Sequence, residues 1–343
     1  MNFVHLYLLN NAHRFDDRRN LAFDEISSLF ITPRFQASGH ILVFVLSPRY
    51  AAPVYVIKMP RVKGDHLRLD REVRSLRAVH SLKSGGFDSV PKVVAYEDFK
   101  GLRLLVQTAL PGQPMKPAFV RKHPKACLEV MSDWLINMQR SSSSRSSFDL
   151  SWYHRLVEMP LSFVKNKIPN LVKGHYLDCT ENAGKILGAM DIPLVFEHGD
   201  MSSPNILMAP DKRPGVVDWE LAEIKGLPAV DLFFFLTYVA FSRHRARRLK
   251  DQLAAFHKAF FTTKAWTTPY IQTCINEIGL PKEALRPLFV MCWMRYVANL
   301  IVRLDCTANN SADFETNYGH WLQNNRYFAL WQHSIDFYDE LVF

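Results

Sequence analysis

One short segment of the chain carries two carboxylates and one amide in a fixed order beside apolar stretches. An apolar, strand-like stretch leads through His-Gly to Asp200, Asn205 follows five residues later, and a second apolar stretch ends at Asp218. One carboxylate can orient an attacking hydroxyl and accept its proton, while a second carboxylate and an amide oxygen can hold Mg²⁺ against phosphates. The pattern therefore predicts phosphoryl transfer, although an Asp at a strand end is often only a turn residue.

Lys58 and Glu72 form a second candidate pair. Lys58 closes the stretch VYVIKM, and strand alternation places it on one face with Val54 and Val56. A buried ammonium group needs a partner, because burying it unpaired is costly. Glu72, fourteen residues further on in a helical pattern, is the expected partner, and the pair would position nucleotide phosphates. Taken alone, each residue also fits a position on the protein surface.

The elements that must position these residues are strands first and helices later. Strand-like stretches and one helical pattern occupy the first 110 residues. The predicted elements are two strands within Phe35–Leu46 around a turn at Ser38 and Gly39, a strand Val54–Met59, a helix His66–Val79, and strands Val90–Tyr96 and Leu102–Gln107. An antiparallel sheet with one helix inserted after its third strand is typical of an α+β fold.

Beyond residue 110 the pattern is mainly helical. Leu110–Pro117, with three prolines and one glycine, predicts a linker. We expect one long helix Phe119–Arg140, a flexible loop Ser141–Ser147, two short strands around residues 193–219, and helices from Asp231 onward. The sequence thus predicts two domains, residues 1–109 and residues 110–343.

Composition excludes several protein classes. The 343 residues are 48% apolar and 22% charged, so the chain can bury a sizeable core and is not disordered. Its longest strongly apolar run, Ala229–Phe241, contains Asp231 and is shorter than the roughly 20 apolar residues of a membrane span. No secretory leader is visible, and the 5 cysteines contain no C-x-x-C pair, which favours free thiols over a zinc site or disulfides. We therefore expect a soluble, cytoplasmic protein.

The net charge of +9 raises the question of an anionic partner. Residues 251–343 hold 7 basic and 9 acidic residues, so the excess lies earlier in the chain. The only dense basic run is Arg243–Lys250, for which a solvated helix end is favoured over contact with an anionic partner, either a membrane surface or polyphosphate. We expect no nucleic-acid partner and no transmembrane segment.

These motifs resemble those of the aminoglycoside phosphotransferase and choline kinase family, a branch of the protein-kinase-like fold. The resemblance spans about residues 30–240 and rests on VIK, REVRSLRAV, LVQTALPGQPM, HGDMSSPN, VVDWE and PAVDL. It implies a bilobal α+β protein whose N-lobe, residues 1–109, has an antiparallel sheet plus a helix. The larger and mainly helical C-lobe, residues 110–343, would complete an active site between the lobes.

The resemblance also implies roles for the reactive residues. Asp200 would be the catalytic base, and Asn205 with Asp218 would hold Mg²⁺. Lys58, paired with Glu72, would bind the phosphates of ATP.

Supporting roles follow from the same resemblance. His198 and Asp231 would support the catalytic loop, and the backbone of Gln107–Ala109 would contact adenine. The turn near Ser38 lacks the several glycines of a phosphate loop, so its backbone and the Ser38 side chain would cover the phosphates.

The expected function is ATP-dependent phosphorylation of a hydroxyl group on a small molecule, an amino sugar, a sugar or an amino alcohol. The alternative is a non-catalytic kinase-like protein that binds nucleotide or docks a partner. A peptide kinase is disfavoured, because the twelve residues between Asp218 and Asp231 are too few for a peptide-docking platform. The nearly balanced charge after residue 250 favours a neutral or cationic acceptor over a strongly anionic one.

Overall fold

The computed structural model describes residues 3–15, 25–32, 39–62, 64–149, 151–307 and 314–343, without the side chains of residues 306 and 307. The chain forms two compact units. The first comprises Met1–Pro114 and Asn205–Ala222, and the second comprises Met115–Pro204 and Glu223–Phe343.

The elements alternate between strands and helices early in the chain and are mainly helical later. Up to residue 114 they are α1 (Phe3–Asn10), β1 (Ser27–Ile31), β2 (His40–Leu46), β3 (Tyr55–Pro60), α2 (Leu67–Ser81), β4 (Val93–Phe99), β5 (Leu102–Thr108) and β6 (Gln113–Pro114). From there to residue 226 they are α3 (Pro117–Lys122), α4 (Pro124–Ser142), β7 (Ser144–Arg145), α5 (Met159–Lys167), α6 (Gly174–Gly188), β8 (Pro193–Glu197), β9 (Ile206–Met208), β10 (Pro214–Val216) and β11 (Glu223–Gly226). The remaining elements are α7 (Val230–His244), α8 (Leu249–Phe260), α9 (Thr268–Ile278), α10 (Leu285–Thr307), α11 (Phe314–Gln323) and α12 (Arg326–Asp336).

The first unit is built on an antiparallel sheet of order β1-β2-β3-β5-β4. Alternation along the strands gives the sheet two apolar faces. On one face Val43 and Ile57 pack with Leu8 of α1, and on the other Leu105 packs with Val73 of α2. The sheet is therefore covered by a helix on each side. Helix α2 is inserted after the third strand as the sequence predicts, but the position of β5 between β3 and β4 was not predicted.

The chain segment after residue 204 returns to the first unit. There β9 pairs with both β10 and β6, and the Val216 N–H donates to the carbonyl oxygen of Ser89 at 2.8 Å. Because of these hydrogen bonds, Asn205–Ala222 belongs to the first compact unit although it is distant in the chain. The two compact units therefore divide the chain differently from the predicted residues 1–109 and 110–343. The division into lobes at residue 109 stays a prediction.

The second unit surrounds a short sheet of order β11-β8-β7 with helices. All five residues of β8 are buried. Aromatic rings of three helices form much of the core, with Phe233 and Phe289 at 5.0 Å and Phe256 and Trp293 at 5.4 Å between centroids. Within the described ranges, Lys282–Asp305 is long and apolar enough to cross a membrane by length and composition, but 83% of its most apolar window is buried in the protein.

Several expectations about local structure were wrong or lie partly outside the described residues. The two strands expected around residues 193–219 are three, β8, β9 and β10. The described first strand is Ser27–Ile31, which the sequence analysis missed, and the strand expected near residue 35 lies outside the described residues. The expected single helix Phe119–Arg140 is two helices, because Pro124 lacks an N–H and disfavours helical geometry at His123, which adopts φ −132° and ψ 50°.

The serine-rich stretch Ser141–Ser147 is also more ordered than expected. Helix α4 continues to Ser142, whose hydroxyl accepts from the N–H of Phe196 at 2.8 Å. The hydroxyl of Ser146 accepts from the N–H of Ile192 at 3.0 Å. Short hydroxyl side chains here satisfy backbone donors near both ends of β8, which composition alone does not reveal.

Candidate active site

Lys58 lies at the centre of a buried charged cluster in the first unit. Its Nζ is 2.7 and 2.8 Å from the two Glu72 carboxylate oxygens and 2.7 Å from Asp218 Oδ1. The Lys58 and Glu72 side chains are 5% and 1% exposed, whereas that of Asp218 is 40% exposed. The register pairs Lys58 with Leu105, on the sheet face that α2 covers. Glu72 is thus the partner of Lys58, and Asp218 is the solvent-facing member of the cluster.

One ammonium group therefore faces two carboxylates. Burial opposes the charged form of Lys58, but Asp218 and Glu72 outweigh burial and raise the pKa of Lys58 above its ordinary value. Burial raises the pKa of Glu72. The charge of Lys58 opposes this rise, and the charge of Asp218 adds to it. The surplus negative charge lies at the more exposed carboxylate, Asp218, where it suits a bound cation.

Asn205 and Asp218 lie at the same end of the β9–β10 hairpin. Ile206 pairs with Val216, and the N–H of Val217 donates to the carbonyl oxygen of Asn205 at 2.9 Å. Asp218 comes next, in the left-handed region at φ 70° and ψ 65°, which Asp tolerates better than most residues.

This pair fits a magnesium ion in its donor chemistry. One carboxylate and one amide supply hard oxygen ligands, and few protein ligands are needed because Mg²⁺ keeps several waters or phosphate oxygens. In the described part of the chain, no group of three or more His, Cys, Asp or Glu side chains is arranged to hold a metal. Asn205 and Asp218 stay the predicted metal ligands.

Asp218→Asn should raise the Mg²⁺ concentration needed for half-maximal activity at least roughly tenfold, about 1.4 kcal/mol, because the amide lacks the charge that a hard cation prefers. Asn205→Ala should act in the same direction more weakly. Titrating Mg²⁺ at saturating nucleotide measures both effects. Asp211→Asn, at an exposed position on the same hairpin, is the matched control. An unchanged Mg²⁺ dependence in Asp218→Asn would remove Asp218 from the metal site.

A histidine contact beside this cluster was missed by sequence reasoning. His40 Nδ1 lies 3.3 Å from Glu220 Oε2, and both side chains are largely buried. Burial opposes ionisation of Glu220, but the hydrogen bond and charge of His40 contribute to a pKa below the ordinary value. The contact links the start of β2 to the segment that carries Asp218. A glutamate two residues after Asp218 was the available signal, but nothing in the sequence pairs it with His40.

In the second unit, buried β8 leads directly into the loop that carries Asp200. The backbone N–H groups of His198 and Gly199 donate to the two Asp231 carboxylate oxygens at 2.6 and 2.9 Å. The Asp200 N–H donates to His198 Nδ1 at 3.2 Å, and the Ser202 hydroxyl donates to Asp200 Oδ1 at 3.2 Å. Asp231 therefore braces the loop, and Ser202 orients the carboxylate of Asp200.

Asp231, which holds this loop, is buried and lies close to other charged side chains. Burial, together with the charge of Glu197, raises the pKa of Asp231 to about 7, against the backbone N–H donors. Glu197 itself binds Arg295 of α10 at 2.8 and 2.9 Å and accepts from the N–H of Leu227 at 3.1 Å. This Glu197–Arg295 pair anchors the end of β8, and sequence reasoning did not find it.

The remaining predicted positions are those expected to contact the nucleotide. Gln107 is buried in β5, and its side-chain oxygen has no hydrogen-bond partner among the described residues. The N–H of Ala109 donates to the carbonyl oxygen of Val54 at 3.3 Å. Ser38 lies outside the described residues. Adenine contact by Gln107–Ala109 and phosphate contact by Ser38 stay predictions.

Comparison with solved structures establishes the fold. The choline kinase LicA from Streptococcus pneumoniae is similar at a TM-score of 0.54 and 11% identity, covering 98% of this chain and 99% of that chain. The structure of LicA in complex with AMP is similar at a TM-score of 0.52 and 10% identity, covering 97% of this chain and 98% of that chain. A putative fructosamine-3-kinase from Haemophilus somnus is similar at a TM-score of 0.50 and 12% identity, covering 90% of each chain. The predicted α+β, protein-kinase-like fold is confirmed.

Comparison at the level of sequence gives the family. No curated protein sequence matches the chain significantly. The model of the phosphotransferase enzyme family matches residues 43–268, which include Lys58, Asp200 and Asp218. Because this match covers most of the chain and agrees with the resemblance drawn from the motifs, the chain belongs to the phosphotransferase enzyme family.

Proposed function

We propose that the chain is an ATP-dependent phosphotransferase that phosphorylates a hydroxyl group of a small molecule, within the amino-sugar, sugar or amino-alcohol classes. The observation that carries the proposal is the cluster in which Lys58 contacts Glu72 and Asp218, with Asn205 at the same hairpin end as Asp218. A fixed cation beside hard oxygen donors is the arrangement that phosphates and Mg²⁺ require. Family membership supports transfer of a phosphoryl group.

Each residue of the first unit has a distinct role in this proposal. Lys58 binds phosphate oxygens of ATP, and Glu72 holds its ammonium group in place. Asn205 and Asp218 hold Mg²⁺, which supplies positive charge against the phosphate oxygens when it is bound. Because Lys58 and Glu72 are buried, their geometry is set before the nucleotide binds, which lowers the cost of reorganisation.

Asp200 of the second unit orients the acceptor hydroxyl and accepts its proton. Its carboxylate is held by the Ser202 hydroxyl, and its loop is held by His198 and Asp231. Orientation of a nucleophile by a fixed carboxylate contributes to catalysis through both positioning and proton transfer.

The nucleotide and compartment complete the proposal. Gln107–Ala109 would contact adenine and Ser38 the phosphates; the LicA complex with AMP supports nucleotide binding by this fold. We place the protein in the reducing cytoplasm, a view supported by the free thiols of Cys127, Cys274 and Cys292, all buried. Peripheral membrane contact through Arg243–Lys250 is disfavoured, because Arg243 already lies 4.8 Å from the Trp266 ring centroid.

The rival proposal is a non-catalytic protein that binds nucleotide or docks a partner. Loss of Lys58, Asp200, Asn205 or Asp218 would favour it, and all four are present. The twelve residues from Trp219 to Val230 argue against a peptide acceptor, since they include one short 3₁₀ turn and strand β11. A small-molecule kinase is the better account.

Incubation with γ-labelled ATP should label a product in a protein-free metabolite pool and should not label a mixture of unrelated proteins efficiently. The physical reason is that the short connection after Asp218 leaves little chain to dock a peptide. Scintillation counting after separation by size measures both arms. Efficient transfer to proteins with none to metabolites would replace this proposal by a protein kinase.

A further inference from the structure

A stack of aromatic rings leads away from the loop that carries Asp200. Asp231, which holds that loop, lies at the start of α7, and Phe234 lies about one turn further along the same helix face. Phe234 stacks on Tyr296 of α10 with centroids 4.3 Å apart, and Tyr296 stacks on Tyr327 of α12 at 5.4 Å. The stack thus connects the Asp200 loop to the first turn of α12.

Two buried hydrogen-bond donors lie along this stack. The Tyr296 hydroxyl and the Trp293 indole N–H have no hydrogen-bond partner among the described residues, although these residues are only 7% and 0% exposed. Burial raises the pKa of Tyr296, and the charges of Cys292, Asp231, Asp200 and Glu197 act in the same direction. Buried donors are nearly always paired in native proteins, so this hydroxyl keeps a hydrogen bond for a group other than the described side chains.

The far end of the stack is positively charged. Arg326 donates to the Tyr327 hydroxyl at 2.7 Å, and its guanidinium lies 4.7 Å from the Tyr327 ring centroid. Within the described ranges, no carboxylate forms an ion pair with Arg326. Burial raises the pKa of Tyr327, and the charges that act on it are those of Arg326, Asp200 and Arg303. Helix α12 has no acidic residue in its first turn, so its dipole adds to the positive potential.

The chemistry of these groups selects against a cationic ligand. Arginine and tryptophan side chains only donate hydrogen bonds, and Tyr327, which already accepts from Arg326, keeps its proton for donation. One face of the Tyr327 ring stacks on Tyr296, and a guanidinium group lies over the ring. At the Arg326 end of the stack, an ammonium group would therefore meet a positive charge and hydrogen-bond donors. Donors beside a positive charge suit the oxygen atoms of an acid.

We propose that Tyr296 and Arg326 form an acceptor subsite, and that the acceptor carries a carboxylate or phosphate group in addition to the hydroxyl that is phosphorylated. The Tyr296 hydroxyl binds an oxygen of the acceptor near Asp200, and Arg326 binds the acidic group. The inference rests on the proposed function and narrows its acceptor classes to their acidic members. The balanced charge after residue 250 favours a neutral or cationic acceptor, but a count over a whole segment does not describe the local potential beside Arg326.

The test begins with the metabolite pool of the cells that make this protein, separated on an anion-exchange resin into retained and unretained fractions. Each fraction is incubated with the wild-type protein, Mg²⁺ and ATP, and phosphorylated products are detected by mass spectrometry. We expect the product to arise from the retained fraction. A product from the unretained fraction alone would overturn the inference and leave the proposed function standing. No product from either fraction would overturn both.

Variants then test the named residues on the acceptor fraction. Arg326→Ala should raise the KM for the acceptor roughly ten- to hundredfold with kcat and the KM for ATP nearly unchanged, as expected for loss of a charged hydrogen bond. Tyr296→Phe removes only a hydroxyl without a partner, so it should fold and raise the same KM. Arg140→Ala, at an exposed arginine paired with Glu277, is the control. An acceptor KM in Arg326→Ala equal to that of the control would overturn the assignment.

The source of the acidic group is distinguished by treating the retained fraction with a phosphatase that is then removed. A product that persists identifies a carboxylate, and a product that disappears identifies a phosphate ester. Both results agree with the inference, since both acids are anionic oxygen groups.

Discussion

Asp200→Asn is expected to lower turnover by roughly 10²–10⁴-fold while the affinity for ATP stays within about twofold of the wild-type value. The amide keeps the size of the side chain and can still accept from the Ser202 hydroxyl, so the loop should keep its conformation. It cannot accept the proton of the acceptor hydroxyl. Product formation in the metabolite pool measures turnover, and calorimetric titration measures ATP affinity.

The matched control for this variant is Asp149→Asn. Asp149 is another aspartate of the second unit whose carboxylate accepts from a serine two residues later, Ser151, at 2.7 Å. Its turnover should stay near the wild-type value. Near-normal turnover in Asp200→Asn would contradict the catalytic assignment as a whole.

Lys58→Met is expected to destabilise the first unit by about 3–5 kcal/mol and to abolish turnover. The large stability effect follows because Glu72, 1% exposed, would keep a carboxylate in the protein interior without its cation. The double variant Lys58→Met with Glu72→Gln removes both charges and should recover most of the lost stability without recovering activity. Hydrogen exchange of β3 and α2 measures the stability of this unit directly.

Lys165→Met serves as the control for the lysine change. Lys165 binds Glu181 at the same distance of 2.7 Å, but the two side chains are 36% and 40% exposed. Loss of such an exposed pair should cost only about 0–1 kcal/mol. A double variant as unstable as Lys58→Met would show that the Lys58–Glu72 charge pair is not the source of the effect.

The parts of the site that could be predicted are those governed by local rules. Lys58 on a partly apolar strand face required a partner, and the helix that follows its strand offered Glu72. An antiparallel sheet with one inserted helix followed from the period-two and helical patterns, but the position of β5 between β3 and β4 did not. These rules act within a few tens of residues, so a single sequence is sufficient to apply them.

The parts that were missed depend on contacts between distant segments. His40 meets Glu220, and Glu197 meets Arg295, across separations that no periodicity encodes. The break before Pro124 was readable in principle, because proline excludes a continuous helix at that point. The order of the serine-rich stretch was not readable, since it depends on which backbone donors the fold brings to Ser142 and Ser146.

The measurement that tests the central claim most directly is a mass-spectrometric comparison of one metabolite pool after incubation with ATP and Mg²⁺ and either the wild-type protein or Asp200→Asn. Use of ATP labelled with ¹⁸O in its γ-phosphoryl group identifies the donor. We predict a small molecule that gains the labelled phosphoryl group on a hydroxyl with the wild-type protein and gains almost none with the variant. A pool unchanged by the wild-type protein, although that protein binds ATP, would contradict the account in favour of a non-catalytic nucleotide-binding protein.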